Sequence, residues 1–190
     1  VCSSDLLSAH TDVVRTDIPL TNDKGTLQGL LDNFAGVLCM YSAVYSNQSI
    51  QHALSVGDIK IFHNNHEEFA YAVDFPELDP EKDFVINVDV CAGDRYKNVD
   101  VGIENLYGKG IAEILNALEW EGFKFYFCEY TGDPEEADEM DQWVEKKIPG
   151  LSFIIPIECP NDNWHGKAEL SMEKMKKAIL ILQRLICYLL

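Results

Sequence analysis

Short apolar segments alternate along this chain with longer segments of helical periodicity. The clearest strand is 84–90, which is rich in β-branched residues and apolar on both of its faces. Such a run is typical of a central strand in a sheet that is covered on both sides. Further strands are predicted at 6–9, 58–62, 123–127 and 151–157, and helices at 31–45, 109–120, 135–147 and from 171 onward.

This alternation predicts the fold class. Strands and helices that follow one another in turn favour a three-layer α/β/α sandwich with a mostly parallel central sheet. The 190 residues are long enough to bury a hydrophobic core and are expected to form one catalytic domain, 1–190. Pro156 indicates that the strand 151–157 either lies at an edge of the sheet or ends there.

Charge and composition limit the partners. The net charge of −17, without a cluster of Lys or Arg, argues against nucleic acid. The most apolar stretch, 178–190, is interrupted by Gln183 and Arg184 and is too short to cross a membrane. Six scattered cysteines without a Cys-x-x-Cys pair indicate free thiols and a cytoplasmic location. Because the chain begins at Val1 rather than Met, we expect that an upstream segment has been removed, with any targeting signal it carried.

Candidate metal ligands follow the predicted strands in order. Ligands of open α/β sheets bind at the carboxyl ends of the parallel strands. Imidazole and carboxylate are the donors that zinc, cobalt and manganese accept. Side chains of these two types stand at or near strand ends or at a helix start, and they are His10, Asp32, Glu67, Glu68, Asp89 and His165. The ordered set predicts a site for two metal ions at one edge of the sheet.

Each of these residues also has a simpler interpretation. Asp32-Asn33 is compatible with an ordinary helix N-cap, and a ligand at a helix start would meet the same capping need. Adjacent glutamates such as Glu67-Glu68 are most often solvated loop acids. Asp89 is harder to explain in this way, because an unpaired carboxylate in an apolar strand costs several kcal/mol. The acidic residues at 100 and 104 are predicted to lie on a solvated face.

The motifs together carry a family resemblance. His10-Thr11-Asp12, the segment 31–36, His66-Glu67-Glu68, Asn87-Val88-Asp89 and Trp164-His165 resemble the ordered signature of the zinc aminopeptidases of clan MH. The closest similarity is to the M28 family, whose catalytic domain has an Asp-Asn-x-x-Gly element. The related M20 and M42 families insert a second domain, for which 190 residues leave no room.

The resemblance implies the zinc-peptidase, phosphorylase/hydrolase-like form of the α/β/α sandwich, and it implies a role for each position. Asp32 would bridge two zinc ions, for which cobalt or manganese are substitutes. His10 and Asp89 would complete one ion's site, and Glu68 and His165 the other. Glu67 would be the general base, and Asp12 would orient the imidazole of His10 through its second ring nitrogen. The expected activity is the removal of N-terminal residues from peptides or from small amides.

Two alternatives remain open. One is an acyltransferase with a single zinc ion that resembles glutaminyl cyclase, which uses a similar scaffold. The complete set of five ligands disfavours it. The other is a catalytically silent protein that keeps the fold as an interaction module. The presence of Glu67 disfavours that alternative.

Overall fold

A six-stranded sheet forms the centre of the computed structural model, which describes residues 4–11, 17–64, 75–107, 111–131, 139–160 and 166–190. The strands are β1 (Ser4–His10), β2 (Thr21–Asp23), β3 (Thr26–Gly29), β4 (Ile59–Asn64), β5 (Asp83–Cys91), β6 (Val101–Tyr107), β7 (Phe125–Glu129), β8 (Gly150–Pro156) and β9 (Ala168–Ser171). The helices are α1 (Phe34–Tyr45), α2 (Gln48–Val56), α3 (Ile111–Trp120), α4 (Glu139–Glu145) and α5 (Met172–Leu189).

The large sheet is mostly parallel, as the sequence predicts. Its strand order is β4-β1-β5-β8-β6-β7. The first four of these strands run parallel to one another, whereas β6 runs antiparallel to β8 and parallel to β7. Helices α1, α2, α3 and α5 cover one face, and α4 packs on the other. The predicted α/β sandwich is therefore confirmed.

Strand β5 shows why this chain forms a covered sheet. Ile86 and Val88 belong to the large core beneath α1 and α5, whereas Val85 belongs to a smaller core beneath α4. Successive side chains of a strand point to opposite faces, so a strand that is apolar at consecutive positions must be covered on both. The prediction for 84–90 is confirmed within one residue at each end.

The order of the strands places a crevice between β1 and β5. From β1 the chain moves outward to β4, and then returns to form β5 on the other side of β1. The connections therefore leave in opposite directions at this point. In open α/β sheets, a crevice of this kind opens at the carboxyl ends of the two strands and receives ligands.

The sequence did not predict the second sheet, which contains β2, β3 and β9 in antiparallel order. Its strands are only three or four residues long, and β2 is fully exposed. Strands this short carry too few positions for an alternating pattern to be recognised. Leu27 and Leu170 nevertheless join the large core from this sheet.

Of two expectations about individual residues, one is confirmed and one is wrong. Pro156 ends β8, which is the second of the two positions predicted for it, and β8 itself lies inside the sheet between β5 and β6. Glu104 is not solvated, because it is only 6% exposed and its carboxylate accepts hydrogen bonds from Arg95 and Tyr96.

Among the described residues, none of the helices combines the length and the apolar character that crossing a bilayer requires.

Candidate metal centre

The carboxyl ends of β1 and β5 bring two predicted ligands side by side. The register pairs Ser8 of β1 with Asn87 of β5, and His10 and Asp89 lie two residues further along their strands. Because side chains alternate between faces, both point to the face on which α4 packs, as do Leu6 and Val85. The two side chains therefore meet at the crevice between the strands.

Asp32 joins this pair from the segment that precedes α1. His10 Nε2 lies 3.0 Å from Asp32 Oδ1 and 3.5 Å from Asp89 Oδ1. One donor atom from each of the three residues lies within 4.8 Å of the others. The side chain of His10 is 3% exposed, whereas the side chains of Asp32 and Asp89 are 16% and 15% exposed. The cluster is thus buried on its histidine side and reachable from solvent on its carboxylate side.

The geometry of these three side chains fits a divalent metal ion. Zinc binds nitrogen and oxygen at about 2.1 Å in tetrahedral sites, which places neighbouring ligand atoms about 3.4 Å apart. The two separations measured from His10 Nε2, 3.0 and 3.5 Å, are on either side of this value. One imidazole and two carboxylates are also a donor set that zinc, cobalt and manganese accept.

Asn33 holds the segment that carries Asp32. Its side chain caps α1, since Oδ1 accepts a hydrogen bond from the Gly36 N–H at 3.0 Å. Its Nδ2 donates to the carbonyl oxygen of Val88 at 2.8 Å. The peptide bond between Asp32 and Asn33 is cis. Asn33 therefore caps α1, and the carboxylate of Asp32 contacts His10.

Asp89 has the partner that its apolar strand requires. Its Oδ1 accepts the backbone N–H of Val90 at 2.7 Å and faces His10 at 3.5 Å.

The remaining residues of the predicted site, Asp12, Glu67, Glu68 and His165, lie outside the described residues, as does His66. The three predicted ligands that the structure does describe come together at one place.

A row of buried polar side chains, which was not predicted from the sequence, lies one level below the cluster. Ser8, Asn87, Ser152 and Glu104 occupy paired positions on β1, β5, β8 and β6. All four are at most 6% exposed. Within the described part of the chain, Asn87 Oδ1 and Ser152 Oγ have no hydrogen-bond partner. One signal was available, namely single polar residues in strands that are otherwise apolar.

The loop after β5 is anchored at the end of this row. Tyr96 is 1% exposed and donates its hydroxyl hydrogen to Glu104, while Arg95 Nη2 donates to the same carboxylate at 2.9 Å. Burial and the bond to Glu104 raise the pKa of Tyr96 far above its usual range, so the hydroxyl stays protonated and remains a donor. Gly102 makes room for the ring, because a Cβ there would lie 2.3 Å from Tyr96 Cε1.

Neither protein-family models nor curated protein sequences give a match to this chain. Solved structures do resemble it. The dodecamer PhTET1-12s shares 13% sequence identity at a TM-score of 0.57, with 88% of this chain and 53% of that chain covered. Yeast aminopeptidase 1 shares 11% at a TM-score of 0.56, with 87% and 46% covered. An M18-family aminopeptidase from Thermotoga maritima shares 13% at a TM-score of 0.54, with 85% and 46% covered.

These similarities define the class of fold. At such identities the likeness shows a common architecture, a mixed α/β sandwich. The chain spans about half the length of the structures that it resembles. The more specific resemblance to the M28 family stays a prediction.

Proposed function

We propose that this chain carries the catalytic centre of a two-metal hydrolase that removes N-terminal residues from peptides. The observation that carries the proposal is the cluster of His10, Asp32 and Asp89, whose donor atoms lie within 4.8 Å at the crevice between β1 and β5. The shared fold with aminopeptidases supports it. An acidic and histidine-containing cluster at another place on this sheet would carry much less weight.

The residues divide into two ligand sets under this proposal. His10, Asp89 and Asp32 would hold one zinc ion, and Glu68, His165 and the shared Asp32 would hold the other. When bound, such ions supply Lewis acidity and lower the pKa of water toward about 7.

Two further residues act on the ligands or on the reacting groups. Glu67 takes the proton from the attacking water and passes it to the leaving amine. Asp12 orients the imidazole of His10, which fixes the nitrogen that faces the two carboxylates.

The substrate class is proposed from the aminopeptidases that share this fold. The charge of the two carboxylates that face His10 does not decide it, because the two zinc ions proposed for this site would offset their negative charge. The proposed substrates are peptides or small amides with a free amino end.

Metal content per chain tests the proposal most directly. Protein reconstituted with zinc should hold about two equivalents by elemental analysis, and Asp32→Ala should hold none, since a bridging carboxylate serves both ions. Asp58→Ala is the matched control, because Asp58 is exposed at the start of β4, on the side away from the cluster. Retention of two ions in Asp32→Ala would remove the bridging role.

Turnover separates an enzyme from a silent module of the same fold. Glu67→Gln should keep both ions and lose the hydrolysis of aminoacyl substrates, because the amide cannot accept the proton. Equal activity in this variant would remove Glu67 as the base. Zinc binding without any aminopeptidase activity in the unaltered chain would favour the interaction module.

A further inference from the structure

The side chain of Asn33 links the two backbone segments that carry the carboxylates of the candidate centre. Asn33 directly follows Asp32, and Val88 directly precedes Asp89. The hydrogen bond from Asn33 Nδ2 to Val88 O, 2.8 Å long, therefore connects the chain at one carboxylate to the chain at the other. Asp32 precedes α1 and Asp89 lies on β5, so the bond joins two segments that are far apart in sequence.

The position of this side chain is fixed at both ends. While Nδ2 donates to Val88, Oδ1 accepts from the Gly36 N–H at 3.0 Å, and the residue is only 1% exposed. Gly36 leaves no spare room, because a Cβ at that position would lie 1.9 Å from Asn33 Oδ1. A buried amide with a partner at each end has one orientation, since any rotation would lose at least one bond.

Few other side chains can make both contacts. Aspartate has an acceptor for Gly36 but no donor for the carbonyl of Val88, and serine is too short to reach both groups. Helix capping alone would not require asparagine, because serine and aspartate cap helices about equally well. The donor half of the amide therefore has a purpose other than capping.

We infer that Asn33 is a positioning residue that sets the separation of the Asp32 and Asp89 carboxylates and thereby the affinity of this centre for metal. The inference rests on the proposed metal site. Residues that orient metal ligands without touching the ion typically change metal affinity by about 10–100-fold when they are replaced. Asn33 is expected to act in that range, because it fixes the backbone beside two of the proposed ligands at once.

The test compares the same substitution at two helix caps. Asn33→Ser keeps a capping hydroxyl for α1 and loses the bond to Val88. Asn47→Ser is the matched control, because Asn47 caps α2 through Ser49 and Ile50 at 3.0 and 3.3 Å and lies at the opposite end of α1 from the cluster. Zinc titration calorimetry should show binding about 10–100-fold weaker in Asn33→Ser and unchanged in Asn47→Ser. The visible absorption of the cobalt-loaded protein should change only in Asn33→Ser.

The outcomes separate the inference from the proposed function. Wild-type protein that binds no metal would overturn the proposed function and this inference with it. Wild-type binding together with equal affinity and an equal cobalt spectrum in Asn33→Ser would overturn the inference alone. A measurement on the unaltered chain is independent of whether the variant folds. Zinc should shift the side-chain amide resonances of Asn33 and leave those of Asn47 in place, and unshifted Asn33 resonances would also overturn the inference.

Discussion

Replacing Gly36 by alanine should destabilise the protein, although alanine normally favours a helix. Gly36 is the third residue of α1, and an interior Gly→Ala change in a helix contributes up to about 1 kcal/mol of stability. Here the new Cβ would lie 1.9 Å from Asn33 Oδ1 and 2.8 Å from Asn33 Nδ2. The neighbour is a buried side chain with both ends bonded, so it must leave its position and cannot simply rotate.

The size of the effect follows from the contacts that are lost. Loss of the N-cap bond costs about 1 kcal/mol. Loss of the buried bond to Val88, which leaves a carbonyl without its donor, costs about 1–3 kcal/mol. Subtraction of the helix-propensity gain of about 1 kcal/mol leaves a net loss of about 1–3 kcal/mol. For a chain of this length the melting temperature should fall by about 2–4 °C for each kcal/mol.

A double-mutant cycle with Asn33→Ala tests this reasoning. Urea unfolding of the metal-free protein gives the free energy of unfolding for the wild type, the two single variants and the double variant. In the Asn33→Ala background the clash is absent, so Gly36→Ala should become neutral or stabilising. If Gly36→Ala stabilises the wild-type background, or has the same effect in both backgrounds, Asn33 does not occupy the space beside Gly36.

Three further outcomes are expected, all measured as the free energy of unfolding in denaturant. Gly102→Ala should destabilise by about 1–3 kcal/mol, because its Cβ would lie 2.3 Å from a ring carbon of the buried Tyr96. A loss below 0.5 kcal/mol would show that the ring can move aside. Tyr96→Phe should cost about 1–3 kcal/mol, since the buried carboxylate of Glu104 loses a donor, and a neutral effect would mean that Arg95 alone satisfies it. Burial raises the pKa of the Cys91 thiol from 9.0 to about 11, so stability should fall between those two pH values as the thiol ionises in the unfolded chain only. Cys91→Ala should reduce this pH dependence, and an unchanged slope would contradict it.

Much of the large sheet could be predicted because its strands carry long apolar runs. The ends of strand β5 and helix α1 were predicted to within three residues. Their nine and twelve residues are enough for the pattern of apolar positions to repeat. The small sheet was missed because β2, β3 and β9 have three or four residues each. Its position is decided by contacts between chain segments far apart in sequence, such as Gln28 with Glu169.

The error at Glu104 has a different cause. A glutamate in a strand is usually solvated, and no local pattern distinguishes this one from others. Its burial depends on Arg95, which neutralises the charge, and on Tyr96, which covers Gly102 and donates to the carboxylate. These partners lie in a loop eight or nine residues away, and the fold of that loop could not be predicted from the sequence alone.

The candidate centre shows most clearly what a sequence pattern can and cannot determine. Residue type and position at a strand end selected His10 and Asp89, because parallel strands bring their carboxyl ends to one edge of a sheet, and position at a helix start selected Asp32. Neither criterion showed which of Asp32 and Asn33 caps α1 and which faces His10, because both residue types are good helix caps. The answer depends on the hydrogen bond from Asn33 to Val88, which forms only when α1 packs against β5. The relative position of Asp32 and Asp89 therefore depends on how α1 packs against β5. Under the proposed function, substitutions in the interface of α1 with β5 should alter metal affinity even where they touch no proposed ligand.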